Sequence, residues 1–211
     1  MTIDAADLKR MFDAIAVAIE ADKDRLCQLD GVIGDADHGI AMALGFGAVR
    51  DALASLDLAT TEPTALLNTA AKSFLNAVGA SSGPLYATAF MRGAAAVKGK
   101  ATLAAGDVIA IVQAMAQGIK DRGKAEIGEK TMIDAWQPAA EAAAAANLAG
   151  KNLAQSLEAA LAAAERGAEA TKDMIAAKGR SSRLGERSLG HMDPGAASAV
   201  TVIGAMTKSL G

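Results

Sequence analysis

Asp30, Asp35 and Asp37 stand within eight residues in Leu29-Asp30-Gly31-Val32-Ile33-Gly34-Asp35-Ala36-Asp37-His38-Gly39, spaced by glycines and followed by a histidine. Carboxylate oxygens suit a hard cation. Magnesium takes one or two of them from a protein and keeps positions for water and phosphate. A helical pattern resumes at His38, and a helix start offers free backbone N–H groups and a positive dipole end to an anion. Cation and anion on one loop make a metal–phosphate site. A single aspartate here would be read as a cap or turn former, but three around Gly31 and Gly34 favour metal. A calcium EF-hand is excluded: the twelfth position counted from Asp35 is Phe46, where a bidentate glutamate is required.

Other stretches carry weaker signals. Val78-Gly79-Ala80-Ser81-Ser82-Gly83-Pro84 is small and rich in hydroxyls, but no Gly-Lys-Ser/Thr follows, so it is not a P-loop. Ser81 and Ser82 have no base nearby in sequence, and capping suits one of them better than nucleophilic attack. His38 reads equally well as a hydrogen-bonded structural histidine and as a ligand. Arg180, Arg183 and Arg187 pair with Glu186 and Asp193 or face water, unless a shared rim with the aspartates turns one of them to phosphate. Met132, Trp136 and Cys27 read as core.

The elements that hold these residues are helical. Alanine is abundant, prolines number only four, and alternating β-branched runs are almost absent, so the fold class is all-α. Leu8, Met11, Phe12, Ile15 and Ile19 form the apolar stripe of a first helix running to about Leu29, capped by Asp4 or Asp7. A second begins near His38 and carries Met42, Phe46, Val49 and Leu53. Pro63 opens a third and Pro84 a fourth. Asp107 caps a fifth and Thr131 a sixth, which Pro138 should kink or restart. Asn152 caps a long seventh helix reaching Met174. Pro194 starts an eighth that ends near Leu210. The acidic stretch, Gly79–Pro84, Gly123–Thr131 and Gly179–Gly195 join helices 1 and 2, 3 and 4, 5 and 6, and 7 and 8. In an up-and-down array these connections share one end. That parity gathers three carboxylates, a Ser/Gly turn, Lys130, Arg180 and His191 around one mouth.

Composition removes several functions. A net charge of −3 argues against a general nucleic-acid surface. Cys27 is the only cysteine, so no internal disulfide forms and a reducing cytoplasm is expected. No apolar stretch is long enough to span a membrane, and the N-terminus lacks the pattern of a signal peptide. No polar or Pro-rich linker divides residues 1–211, so a single domain is expected.

Together the four loops resemble the nucleotide-binding L subunit of dihydroxyacetone kinase. The motifs are Leu29 to Gly39, Gly79 to Tyr86, Arg122-Gly123-Lys124-Ala125-Glu126 with Gly128-Glu129-Lys130-Thr131-Met132-Ile133-Asp134, and Gly179-Arg180 with Leu184 through Ala196. The resemblance implies a closed barrel of eight antiparallel helices with the nucleotide at one end. It implies that Asp30, Asp35 and Asp37 hold two Mg²⁺ ions on the phosphates of ADP or ATP. His38 and the helix start through Gly39, Ile40 and Ala41 would approach phosphate, as would Gly79, Ala80, Ser81 and Ser82. Gly123, Thr131, Met132, Arg180, Asp193, Pro194 and Gly195 would line the rest of the nucleotide pocket. The family usually has Gly, Thr and Asn where Ala36, Ile40 and Ala41 stand here, so the contact made by the Asn side chain is missing at Ala41.

The implied activity is phosphoryl transfer to dihydroxyacetone or a related short ketose held by a separate K subunit, without a covalent intermediate on this chain. ADP stays bound and is rephosphorylated by a phosphohistidine protein of the phosphotransferase system. The alternatives are an ATP-dependent two-subunit triose or tetrose kinase and a non-catalytic nucleotide-sensing module.

Overall fold

The computed structural model describes residues 2–211, which form eight α-helices: α1 (Ala5–Ile33), α2 (His38–Leu53), α3 (Pro63–Ala77), α4 (Ser82–Ala96), α5 (Ala105–Gly123), α6 (Ile133–Leu148), α7 (Leu153–Ala170) and α8 (Pro194–Leu210). Each helix packs on its neighbours in sequence, and α8 packs on α1, so the ring closes. No strand occurs among the described residues. A lone antiparallel bridge ties Ile3 to Leu103, fastening the start of the chain to the α4–α5 connection. No helix among the described residues is long and apolar enough to cross a membrane.

All six aromatic residues gather in one cluster inside the ring. Phe46 and Phe74 meet edge-on at 5.1 Å between ring centroids, and Tyr86 meets Trp136 at 6.3 Å, the offset geometry that ring quadrupoles favour. On the other side alanine does the packing. Ala135, Ala139 and Ala143 of α6 and Ala160, Ala164 and Ala168 of α7 are buried, which lets these two backbones approach closely. A Cβ on Gly167 would lie 1.8 Å from the Asp134 carbonyl oxygen. That carbonyl is the one Pro138 cannot bond within the helix. The contact with Gly167 covers it, and α6 continues through Pro138 without a restart.

Side-chain N-caps open three of the eight helices. Asp4 and Asp7 form a reciprocal capping box on α1, Asn152 accepts from Gln155 N–H at the start of α7, and Asp193 accepts from Ala196 N–H at 2.7 Å to start α8. Several expected ends move. α1 extends past Leu29 to Ile33, so Asp30 lies in its last turn rather than in a loop. α4 starts at Ser82, with Pro84 inside its first turn, and neither serine makes a side-chain cap. α5 begins at Ala105, and Asp107 reaches back from its third position to Ala104 N–H. Thr131 accepts from Ile133 N–H just ahead of α6. α7 stops at Ala170 and a 3₁₀ turn follows, which leaves Met174 outside it. Two short 3₁₀ turns within Arg180–Ser188, broken at Gly185, occupy what reads in the sequence as loop.

Candidate functional site

The odd-numbered connections meet at one end of the ring around a cavity of about 750 Å³. Its acidic wall is the α1–α2 turn. Asp30 is 8% exposed, and its Oδ2 accepts from the backbone N–H of Asp37 at 2.9 Å and of His38 at 3.1 Å. Asp30 therefore caps α2 from the preceding helix, and the Asp37 carboxylate makes no cap bond. Gly34 closes α1 by donating to the Asp30 carbonyl at 2.5 Å. Ala36 sits in the left-handed region at φ +64°, a conformation costly for any residue with a Cβ. In this way the turn presents Asp35 and Asp37 to solvent beside Asp30, with one ligand oxygen from each within 4.8 Å of the others. Three hard oxygen donors at that spacing, two of them free of backbone partners, fit Mg²⁺.

The next wall is the α3–α4 turn. Gly83 N–H donates to the Ala80 carbonyl at 3.0 Å. A Cβ on Gly83 would lie 2.2 Å from the Val78 carbonyl oxygen, so only glycine closes this turn. Gly79, Ala80, Ser81 and Ser82 line the cavity. Leu85, Ile119, Ala125, Met132 and Ile133 add an apolar part to the lining, suited to a flat ring. The last wall is the α7–α8 strap, residues 171–193, from which the Arg180 guanidinium reaches across the mouth to pair with Asp35.

Buried polar groups support these walls. His38 Nε2 lies 2.9 Å from Ser198 Oγ, and the Ser198 hydroxyl donates to the Gly195 carbonyl at 3.0 Å. His38 is thus the donor to Ser198. Burial lowers its pKa, only partly offset by Asp30, which favours the neutral ring. Tyr86 packs beneath, its phenol pushed up to about 12 by burial. Burial also raises the Asp193 carboxyl to about 7, against the opposing Ala196 hydrogen bond and Lys130 charge. Asp134 accepts from Gly128 N–H at 2.6 Å and Thr131 N–H at 2.7 Å, shaping the α5–α6 connection.

Asp30, Asp35, Asp37, His38, Ala41, Gly79 to Ser82, Gly123, Thr131, Met132, Arg180, Asp193, Pro194 and Gly195 all lie in the cavity wall. Gly39 and Ile40 do not. Gly39 is wedged against α1, where a Cβ would meet the Lys23 carbonyl oxygen at 2.0 Å. The Ile40 side chain, 51% exposed, points into a separate outer groove between α1 and α2. Their backbone N–H groups lie in the first turn of α2, where no carbonyl within the helix accepts from them. His191 is exposed, and its carbonyl rather than its imidazole is used, as an acceptor from Lys130. Sequence reasoning missed Ser198 and Asp134. Asp134 had a local signal, standing three residues after Thr131 as in a capping box. Ser198 had none beyond its place one turn after Gly195.

A model of the DAK2 domain matches residues 32–208. The chain is 38% identical over 209 residues to the ADP-binding subunit DhaL of PEP-dependent dihydroxyacetone kinase 1 from Listeria innocua, covering 99% of this chain and 98% of that subunit. It is 41% identical over 173 residues to the corresponding Escherichia coli subunit, covering 82% and 81%. The native dihydroxyacetone kinase of C. freundii superposes with a TM-score of 0.76 at 26% identity, over 97% of this chain and 34% of that one. Its complex with AMP-PNP and Mg²⁺ gives a TM-score of 0.71 over 95% and 33%.

Proposed function

The chain belongs to the DAK2 domain family, with the L subunits of dihydroxyacetone kinases, and on that premise we propose that it holds the nucleotide from which a phosphoryl group passes to dihydroxyacetone or a related short ketose on a separate K subunit. The observation that carries this reading is the cavity itself. Carboxylates, phosphate-sized N–H donors, apolar side chains and a cationic strap line one mouth.

Asp30, Asp35 and Asp37 would hold Mg²⁺, two ions on the family pattern. When bound, Mg²⁺ supplies charge neutralisation and orientation of the phosphate oxygens. The chain's own residues do the rest. The Gly39 and Ile40 N–H groups and the Gly79–Ser82 turn donate to phosphate oxygens. Leu85, Ile119, Met132 and Ile133 take the base, walled by Gly123, Thr131 and Asp193 to Gly195. Arg180 adds positive charge from the strap. No side chain acts as nucleophile, so catalysis here is positioning and electrostatics. The cavity opens to solvent on the side where a partner would bring the acceptor in line.

Full-length similarity to ADP-binding subunits of PEP-dependent kinases favours ADP as a retained cofactor, recharged in the cytoplasm by a phosphohistidine protein of the phosphotransferase system. Calorimetry with ADP and Mg²⁺, followed by a coupled assay with a K subunit, tests this. The expected result is ADP carried through purification and turnover only with the phosphotransferase donor. Rapid exchange and turnover with free ATP overturns the cofactor role. Absence of Mg²⁺-dependent ADP binding overturns the nucleotide reading.

A further inference from the structure

The strap that carries Arg180 closes on itself through a few hydrogen bonds, among them Ala176 N–H to Ser188 Oγ at 2.9 Å, and is pinned from beneath by a side chain of another connection. It spans residues 171–193, its regular structure is short 3₁₀ turns, and Ile175, Ala177 to Arg180 and Glu186 to Arg187 are exposed. Its two feet meet at one point. Gly190 N–H donates to the Lys172 carbonyl at 2.7 Å, and Asp193 N–H donates to Thr171 Oγ1 at 2.9 Å. Directly beneath lies Lys130, from the α5–α6 connection, 1% exposed. Its ammonium donates to the Thr171 carbonyl at 2.5 Å and to the His191 carbonyl, one on each foot.

A buried ammonium is costly unless its donors are used. Here two of its three N–H donors go to carbonyls about twenty residues apart in sequence, in a closure of the kind that offsets the entropy of a free loop. Asp193, Asp134 and Asp173 act on the same ammonium through space, against the burial that lowers its pKa. The backbone of Lys130 itself is left-handed, at φ +59°, a strain that persists only where the surroundings hold it. The neighbouring residue adds a second tie: the Glu129 carbonyl accepts from Ala177 N–H at 3.1 Å, and its carboxylate pairs with Lys178 at 3.7 Å. Lys130 lies outside the helices, and α1 to α8 pack directly on one another around the ring.

We infer that Lys130 is a positioning residue: its ammonium pins both feet of the α7–α8 strap and so holds Arg180 over the mouth, opposite the three aspartates. The part of this inference that concerns nucleotide rests on the proposed function; the pin itself does not.

Hydrogen exchange on the full chain, read by mass spectrometry without nucleotide, tests the pin. In Lys130→Met, strap peptides exchange on the order of tenfold faster or more, while α1 to α4 peptides keep their native rates. Affinity for ADP with Mg²⁺ falls on the order of tenfold. Arg180→Ala weakens binding comparably without speeding strap exchange. The double variant loses no more than about twofold beyond Lys130→Met alone, because the second change removes what the first has already displaced. Lys130→Gln keeps amide donors at the site and gives intermediate strap protection. Unchanged strap exchange in Lys130→Met overturns the inference, as do additive losses in the double variant. So does loss of α1 to α4 protection in both Lys130 variants, which would make Lys130 a support of the ring instead. If the unmodified chain binds no ADP with Mg²⁺, the functional reading fails and the exchange comparison decides the pin by itself.

Discussion

The acidic wall and the strap wall of the mouth are built on opposite principles. The acidic wall is local: Asp30, Gly34, Asp37 and His38 lie within nine residues, and one carboxylate oxygen joins the end of α1 to the start of α2. The strap wall is non-local, its two feet pinned by a lysine about forty to sixty residues upstream. A wall made of helix ends inherits the rigidity of the helices. A wall made of 3₁₀ turns is as firm as the contacts that pin it. The three carboxylates sit on the first kind and Arg180 on the second, a division that the proposed function would use to hold a cation still on one side and admit a nucleotide on the other.

Removing a ligand from the rigid wall should have the largest effect. Asp35→Ala is expected to abolish Mg²⁺-dependent ADP binding, a loss of at least about a hundredfold by calorimetry, because the neighbouring turn cannot move to replace it. Binding that survives this change sinks the metal assignment.

Next is the foot of the strap. Burial raises the Asp193 carboxyl from 3.8 to about 7, so folding favours its protonated form. That contribution is fully present below pH 3.8 and is lost as pH rises through about 7. Relative to Asp193→Asn, which keeps a capping oxygen but cannot ionise, the parent chain should lose on the order of 1 kcal/mol per pH unit across that window. Thermal unfolding of both proteins at pH 4.5 and 7.5, without metal or nucleotide, reads the difference. Parallel stability curves count against it.

A smaller effect separates the walls most directly. Arg180→Ala should weaken ADP–Mg²⁺ binding about tenfold. Mg²⁺ alone should bind no worse, since Asp35 loses a competing cation. A parallel loss of metal affinity, measured by calorimetry with MgCl₂, would join the two walls into one unit.

The smallest effect concerns backbone strain in the rigid wall. Ala36 holds φ +64°, so Ala36→Gly should stabilise the chain by about 0.5–1 kcal/mol in urea unfolding. No gain would mean that the turn relaxes around Ala36.

Much of this is legible in the residues. Pro63, Pro194, Asn152 and the Asp4–Asp7 pair announce their helices because caps and N-terminal prolines act within one turn. The error at Asp30 has a physical cause. Gly31 and Gly34 look like a loop, but α1 runs through Gly31 and ends only where Gly34 folds back on the Asp30 carbonyl. Ile40 follows from its helix: a side chain two positions past His38 on α2 turns away from the mouth.

By itself, the sequence determined that the chain is helical, which four connections are polar and rich in glycine, and that they meet at one end. Helix period, caps and the parity of connections are local or counting properties. The tertiary structure alone decided which polar groups answer one another across that end. Asp30 serves α2, Lys130 serves the strap, and His38 rests on Ser198, 160 positions away. Such partnerships depend on ångström-scale placement of side chains from distant helices, and no short-range pattern encodes them.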